Sequence, residues 1–405
     1  MLSKREHICD ALSEASTYRE ASMICRLSAL LFTLFLLTSC AVPPDSPSFQ
    51  PSENLPRYDQ ESFDHYVHET RTWIADNRAF ISENRDLEVE LNTPFEIRPD
   101  QPTKRGILLV HGLGASPWYF IDIATAMAND GWLVRSILLP GHGTRPADLM
   151  LPDNDDWEKI IAHHAKLLAT EVDELWLGGF STGGNLVTSH ALSDDNVDGL
   201  LLFSPGFYPD TRYLFLAPAI AYLWDWLDID DEDNIATYRS LSARGASLYY
   251  RSVSAVQKNL NTTRFDKPVL ITMSQHDSVL DPNATLNAFQ NRFPNLQSRF
   301  VWYGDTPQHL DDPRVSAFTS YLPDQRISNF SHMSVLFAPE NTYYGAEGSY
   351  IMLENGQNGL SPPDERDTLW FGAWGQSEAE KYHARLTWNP YFLELLAHIR
   401  AVTDG

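Results

Sequence analysis

From residue 106 onward, short apolar runs alternate with longer stretches in which apolar positions recur every three or four residues. Gly106–Val110, Trp132–Leu138, Leu175–Leu177, Val197–Phe203, Pro268–Met273 and Arg299–Trp302 read as strands. Trp118–Asn129, Asp155–Thr170, Gly184–Leu192, Asn283–Phe293 and Asn389–Val402 read as helices. Strands this apolar need cover on both faces, so the pattern predicts an α/β fold: a mostly parallel sheet flanked by helices. Upstream, Leu87–Ile97 reads as one or two strands. Arg57–Asn84, with Tyr66, Trp73 and Phe80 at helical spacing, reads as a helical lead-in. Ligands bind such sheets at the carboxyl ends of the strands, and His111, Ser181 and Asp277 all fall at such ends.

Two stretches break the alternation. Residues 208–265 are too long for a bare loop and are loaded with aromatics, among them Tyr213, Phe215, Tyr222, Trp224, Tyr238 and Tyr249. Their place between strands predicts a helical cap over the strand ends. A second insertion, about 338–383, is rich in Gly, Tyr and acidic residues and has no assigned form. The folded body would then span 57–405, preceded by a Pro/Ser-rich tether at 41–56 that predicts extended, poorly ordered chain.

The first forty residues read as an export signal. Arg26 precedes the apolar run Leu27–Leu37, which is too short for a comfortable membrane span and ends in Leu-Thr-Ser-Cys. That ending resembles the bacterial lipoprotein signal, which implies a lipid on Cys40. Ala41, rather than Asp, after the cysteine implies the outer membrane of a diderm envelope. Residues 1–22 are long and charged for such a leader, and translation from Met23 would remove them. All three cysteines (Cys9, Cys25, Cys40) lie in this region, so the body after it has no thiol chemistry.

The formal net charge of −24 argues against nucleic acid and against electrostatic docking on anionic lipid. No H-E-x-x-H or clustered His/Asp set suggests a metal. His163 and His164 are neighbours on a helix and point in different directions. No cofactor or metal is expected.

The candidate chemistry centres on Gly179-Phe180-Ser181-Thr182-Gly183, between an apolar strand and a helix. Strand, G-x-S-x-G, helix is the layout of a nucleophile elbow, in which a sharp turn exposes the serine above the sheet. A serine hydroxyl needs an imidazole base, a carboxylate to orient it, and donors for the oxyanion. Asp277 follows strand Pro268–Met273 directly and is the acid of choice, with Asp281 as runner-up. The Leu113 amide in His111-Gly112-Leu113-Gly114 and the Thr182 amide are the oxyanion candidates. His111 itself reads as a packing residue rather than a base. The base follows the acid in chain order, which leaves His309, His332, His383 and His398. His332 is preferred, after the strand-like run Arg326–Phe330, with His309 as the alternative; His398 sits inside the terminal helix and reads as structural.

With these segments in place the chain resembles the α/β-hydrolases. The turn Leu139-Pro140-Gly141-His142-Gly143-Thr144 and the pair Asp156-Trp157 are similar to the bacterial monoacylglycerol lipase and carboxylesterase branch. The resemblance covers about residues 100–300 and the last helix. It implies a Ser181–His–Asp277 triad, Leu113 and Thr182 as oxyanion donors, a helical cap, no cofactor, and a structural role for His142. The expected activity is hydrolysis of carboxylic esters such as a monoacylglycerol, a lysolipid or a medium-chain ester. A thioesterase or acyltransferase with the same triad, and a catalytically silent envelope scaffold, are the rivals.

Overall fold

Successive residues of a strand point to opposite faces, and in this chain both faces are buried. Ile107 and Leu109 join one core cluster, while Leu108 and Val110 join the other. The computed structural model describes residues 44–307, 311–357, 361–363 and 365–404. Cys40, the rest of the stretch expected to be an export signal, and His309 lie outside the described residues.

Helices α1 (Phe63–Asn77) and α2 (Arg85–Asn92) lead into β1 (Phe95–Ile97). The alternating body then runs β2 (Arg105–Val110), α3 (Ile121–Asn129), β3 (Leu133–Ile137), α4 (Asp156–Ala169), β4 (Glu174–Phe180), α5 (Thr182–Ala191) and β5 (Val197–Phe203). The following stretch holds the short α6 (Ala217–Ile220), an antiparallel ribbon of β6 (Trp226–Asp228) and β7 (Leu241–Ser242), and the long α7 (Ala243–Thr262). The body resumes with β8 (Val269–Ser274), α8 (Pro282–Arg292), β9 (Arg299–Tyr303) and β10 (Val315–Phe318). A small parallel ribbon, β11 (Trp370–Gly372) with β12 (His383–Arg385), precedes the closing α9 (Phe392–Thr403).

The main sheet has eight strands in the order β1-β3-β2-β4-β5-β8-β9-β10. Only β1 runs antiparallel to its neighbour; every other pairing is parallel. Sheet, helices and order are those of an α/β-hydrolase fold.

Three stretches differ from expectation. Arg85–Asn92, which overlaps the first part of the stretch Leu87–Ile97 expected to be strand, is helical. The alternation Leu-Glu-Val-Glu-Leu suits a strand, but Asn84 Oδ1 caps a helix by accepting from Leu87 N (3.2 Å). Glu88 also faces inward, where Arg78 Nε lies 2.6 Å away and the Ile81 and Ser82 amides donate to its other oxygen. The run 326–330 is no strand; Ile327 alone makes isolated bridges. On either side of it, Ser328 N–H donates to the Phe371 carbonyl (2.9 Å) and Phe371 N–H to the Arg326 carbonyl (2.8 Å), a pairing too short to make a strand. From Ser46 the tether is docked rather than loose: Ser52 N–H and Oγ donate to Asp148 (2.6 and 2.9 Å), and Phe49 packs edge-on to Trp226.

The second insertion is closed at its base. Phe337 and Trp388 form an isolated parallel bridge, and Asn389 N–H donates to the Phe337 carbonyl at 2.8 Å. The Asp122 carboxylate of α3 takes both Ala338 N–H and Asn341 Nδ2 (2.8 Å each). The insertion therefore leaves and rejoins the body at one point, just before α9.

Candidate active site

Ser181 follows β4 directly, with φ 51° and ψ −113°. Such a backbone is disfavoured for a residue with a side chain, and here the neighbours enforce it. A Cβ on Gly183 would stand 2.0 Å from the Val110 carbonyl oxygen, and one on Gly179 would stand 2.4 Å from the Gly183 carbonyl carbon. The turn closes only because both positions are glycine. Ser181 N–H donates to Phe203 O (3.1 Å), and the Ser181 carbonyl accepts from Gly206 N (2.9 Å) and Asn185 N (3.3 Å).

Asp277 and His332, 55 positions apart in the chain, come together: His332 Nδ1 lies 2.6 Å from Asp277 Oδ2. An ionised carboxylate only accepts, so Nδ1 carries the proton and Nε2 keeps its lone pair. The other carboxylate oxygen accepts from Val279 N (2.9 Å) and Leu280 N (3.1 Å), which fixes the plane of the group. The Asp277 side chain is fully buried and the His332 side chain 16% exposed. The His332 ring packs against Phe180, the residue before Ser181, with centroids 4.9 Å apart.

The His332 loop is held by hydroxyls. Ser204 Oγ donates to the His332 carbonyl (3.0 Å), and Ser274 Oγ to the Phe330 carbonyl (2.7 Å). Both serines stand at carboxyl ends of strands, β5 and β8. Neither stood out in the sequence, since an isolated serine after a strand carries no pattern.

The other histidines and the second aspartate do different work. Asp281 caps α8 by accepting from Ala284 N (2.9 Å). His383 is buried far along the chain with Ser328 Oγ 3.0 Å and Glu378 Oε1 3.2 Å from its Nε2. His398 packs on Phe318 from within α9.

The loop His111–Gly114 passes over Ser181: a Cβ on Gly112 would stand 3.2 Å from Ser181 Cβ. Among the described residues no acceptor takes the Leu113 or Thr182 N–H. The loop is braced by its neighbours. Leu139 N–H donates to His111 Nε2 and Gly114 N–H to His142 Nε2, each at 3.0 Å. Burial holds both imidazoles below their ordinary pKa, His142 at about 4. Trp157 Nε1 donates to Pro140 O (3.0 Å), so Trp157 anchors the turn that carries His142, while Asp156 accepts from the Tyr58 hydroxyl (2.9 Å). Tyr238 from the 208–265 stretch completes the brace. Its N–H donates to Gly114 O (2.8 Å), and its hydroxyl accepts from Thr144 N (2.9 Å). Nothing in the sequence distinguished Tyr238 from the other aromatics of that stretch.

An eight-stranded α/β-hydrolase sheet with a strained serine after β4, an aspartate after β8 and its histidine partner after β10 defines the class. Residues 101–230 match the family described as serine aminopeptidase, S33 (Hydrolase_4). Over 96 residues the chain is 29% identical to a thermostable monoacylglycerol lipase of Bacillus sp. strain H-257, a match covering 24% of this chain. The chain spans only 38% of that relative's length. A metagenome-derived lipolytic enzyme superposes with TM-score 0.47 at 21% identity, covering 52% of this chain and 86% of that one. The monoacylglycerol lipase of Paleococcus ferrophilus gives TM-score 0.43 at 18% identity, with 52% and 87% covered.

Proposed function

We propose that this protein is a serine hydrolase of carboxylic esters, with Ser181 as nucleophile, His332 as general base and acid, and Asp277 as the carboxylate that orients it. One observation carries the reading: the His332–Asp277 hydrogen bond of 2.6 Å, in a loop packed on the residue that precedes a strained serine. His332 Nε2 takes the proton of the Ser181 hydroxyl as Oγ attacks the ester carbonyl. The Leu113 and Thr182 amides, both otherwise unspent, stabilise the oxyanion. The proton then passes to the leaving alcohol, and water activated by the same imidazole resolves the acyl-enzyme.

The likeness to a monoacylglycerol lipase supports a lipid ester as substrate. The export signal supports a protein anchored through lipid on Cys40 in the bacterial envelope, at the outer membrane. Loss of palmitate incorporation in Cys40→Ala tests that anchor; incorporation that persists in the variant rejects it.

A fluorophosphonate probe tests the chemistry. Labelling is expected in the intact protein and in His309→Ala, and lost in Ser181→Ala and His332→Ala. An intact protein that does not label would overturn the hydrolase reading in favour of a silent scaffold. Rates on matched oxygen esters, thioesters and amides separate the esterase from the thioesterase and acyltransferase readings.

A further inference from the structure

Thirteen large apolar side chains are exposed among the described residues, and seven of them fall within residues 213–227. Elsewhere they come singly along the chain, as exposed apolar residues ordinarily do. Tyr222 is 89% exposed, Tyr213 73% and Leu223 71%. The chain is not loose here. A 3₁₀ turn at Leu214–Leu216 leads into α6, and the Leu223 and Trp224 amides both donate to Ile220 O (2.8 and 3.0 Å). A closed turn thus presents Tyr222 and Leu223 to solvent. A concentrated apolar patch of this kind marks a surface that meets something else.

The patch borders the candidate site on one side. Asp210 N–H, three residues before Tyr213, donates to Val279 O (3.0 Å), and Val279 N–H donates to Asp277 Oδ1 (2.9 Å). Val279 is itself exposed. On the other side the N-terminal segment enters the body. Phe49 packs edge-on to Trp226 with centroids 5.2 Å apart, and Arg145 Nη1 donates to Pro47 O and Gln50 O (3.4 and 3.3 Å). Cys40 precedes Phe49 by nine positions, a reach of at most about 30 Å.

Chemistry and charge decide what covers the patch. Residues 213–224 are twelve in a row without a charged side chain. That is too short to span a bilayer, and among the described residues no helix is long and apolar enough to do so. Tyrosine, tryptophan and leucine are side chains that settle at headgroup level. Residues 225–233 hold six acidic side chains and no basic one, so an anionic surface is repelled. We infer that residues 213–224 dock this protein on a zwitterionic phospholipid surface, with Tyr213, Phe215, Tyr222 and Leu223 inserted among the headgroups and the Asp277 loop turned toward the lipid. The docking surface stands without the ester-hydrolase reading. That a lipid on Cys40 would hold this same face to the same membrane rests on the anchor proposed above.

The test places one fluorophore on the full chain. After Cys40 there is no cysteine. With Cys9, Cys25 and Cys40 changed to serine, Leu223→Cys gives a single thiol in the patch. Leu296→Cys gives one at an equally exposed position just before β9, at the amino end of the strands and away from the site. Both sites are surface positions, so melting temperatures should stay level. Each protein carries an environment-sensitive dye and is mixed with phosphatidylcholine vesicles containing doxyl-labelled phosphatidylcholine. The dye at 223 should shift to the blue and be quenched several-fold more than the dye at 296. Adding Tyr222→Ser should reduce that quenching. Equal quenching at the two positions, or none, would overturn the docking surface, even where the N-terminal apolar run keeps the protein on the vesicles. Stronger quenching on phosphatidylglycerol than on phosphatidylcholine would overturn the choice of a neutral lipid. A blue shift at 223 that grows with protein concentration and needs no vesicles would assign the patch to a second copy of the chain instead. Fluorophosphonate labelling is followed in the same samples. Labelling that fails while position 223 is quenched rejects the hydrolase reading and leaves the docking surface standing.

Discussion

His111 and His142 each accept a hydrogen bond from the loop that carries the other: Leu139 N–H reaches His111 Nε2, and Gly114 N–H reaches His142 Nε2, both at 3.0 Å. Their rings meet edge-on with centroids 4.8 Å apart. The exchange fixes the loop over Ser181 without using a side chain of the site itself. It also requires both imidazoles to be neutral, because a protonated ring nitrogen offers no lone pair.

That requirement predicts acid sensitivity. Both histidines have pKa values below those of the unfolded chain, His142 at about 4, so the folded state binds fewer protons. The stabilisation is full above about pH 6.5 and is lost as pH falls toward 4. For His142 alone it amounts to roughly 3 kcal/mol across that window. Urea midpoints at pH 7, 5.5 and 4.5 should fall steadily, and less steeply in His142→Gln, whose amide oxygen still accepts from Gly114. Parallel slopes in the two proteins would show that His142 is not the titrating group.

Ser181 holds φ 51° against its own preference. Glycine adopts that backbone without penalty, so Ser181→Gly should raise stability by about 1–3 kcal/mol while removing the proposed nucleophile. Ser181→Ala should remove it with no such gain. Thermal unfolding of the two variants side by side decides this; equal melting temperatures would mean that the turn is unstrained.

Asp277→Asn keeps the shape of the carboxyl but makes one side-chain atom a donor. The amide can then present its N–H to His332 Nδ1, which favours the tautomer with the proton on Nε2, the wrong nitrogen for a base. A fall in kcat on the order of 10³–10⁴ is expected with little change in stability. Asp281→Asn, at the α8 cap, should leave kcat nearly unchanged, since asparagine caps as well as aspartate. A large loss of kcat in Asp281→Asn would reverse the two assignments.

The inner strands of the main sheet were legible because residues buried on both faces leave largely apolar runs, as in Gly106–Val110 and Val269–Met273. The elbow was legible because closure of the turn demands glycine at 179 and 183. Arg85–Asn92 misled because its five-residue alternation fits either period; what decides it is the inward Glu88, whose counterion Arg78 comes from another element. Strand β10, Val315–Phe318, was missed because it is a partly exposed edge without an apolar run. The brace supplied by Tyr238 and the hydroxyls of Ser204 and Ser274 depend on partners distant in the chain, so no local pattern announces them.

Ser204 gives the sharpest test of how the His332 loop is held. It combines a positive φ of 41° with a hydroxyl that donates to the His332 carbonyl at 3.0 Å. The strain and the bond act in opposite directions, and two variants separate them. Ser204→Ala keeps the strain and loses the bond, for an expected cost of about 1 kcal/mol. Ser204→Gly loses the bond but relieves about 1–3 kcal/mol of strain, so it should match or exceed the intact protein in stability. Both leave the His332 backbone less fixed, so kcat should fall several-fold in each, with KM little changed. Stability and kcat would thus part company in Ser204→Gly. A kcat that instead follows stability across the pair would mean that the hydroxyl serves folding alone and does not position the imidazole.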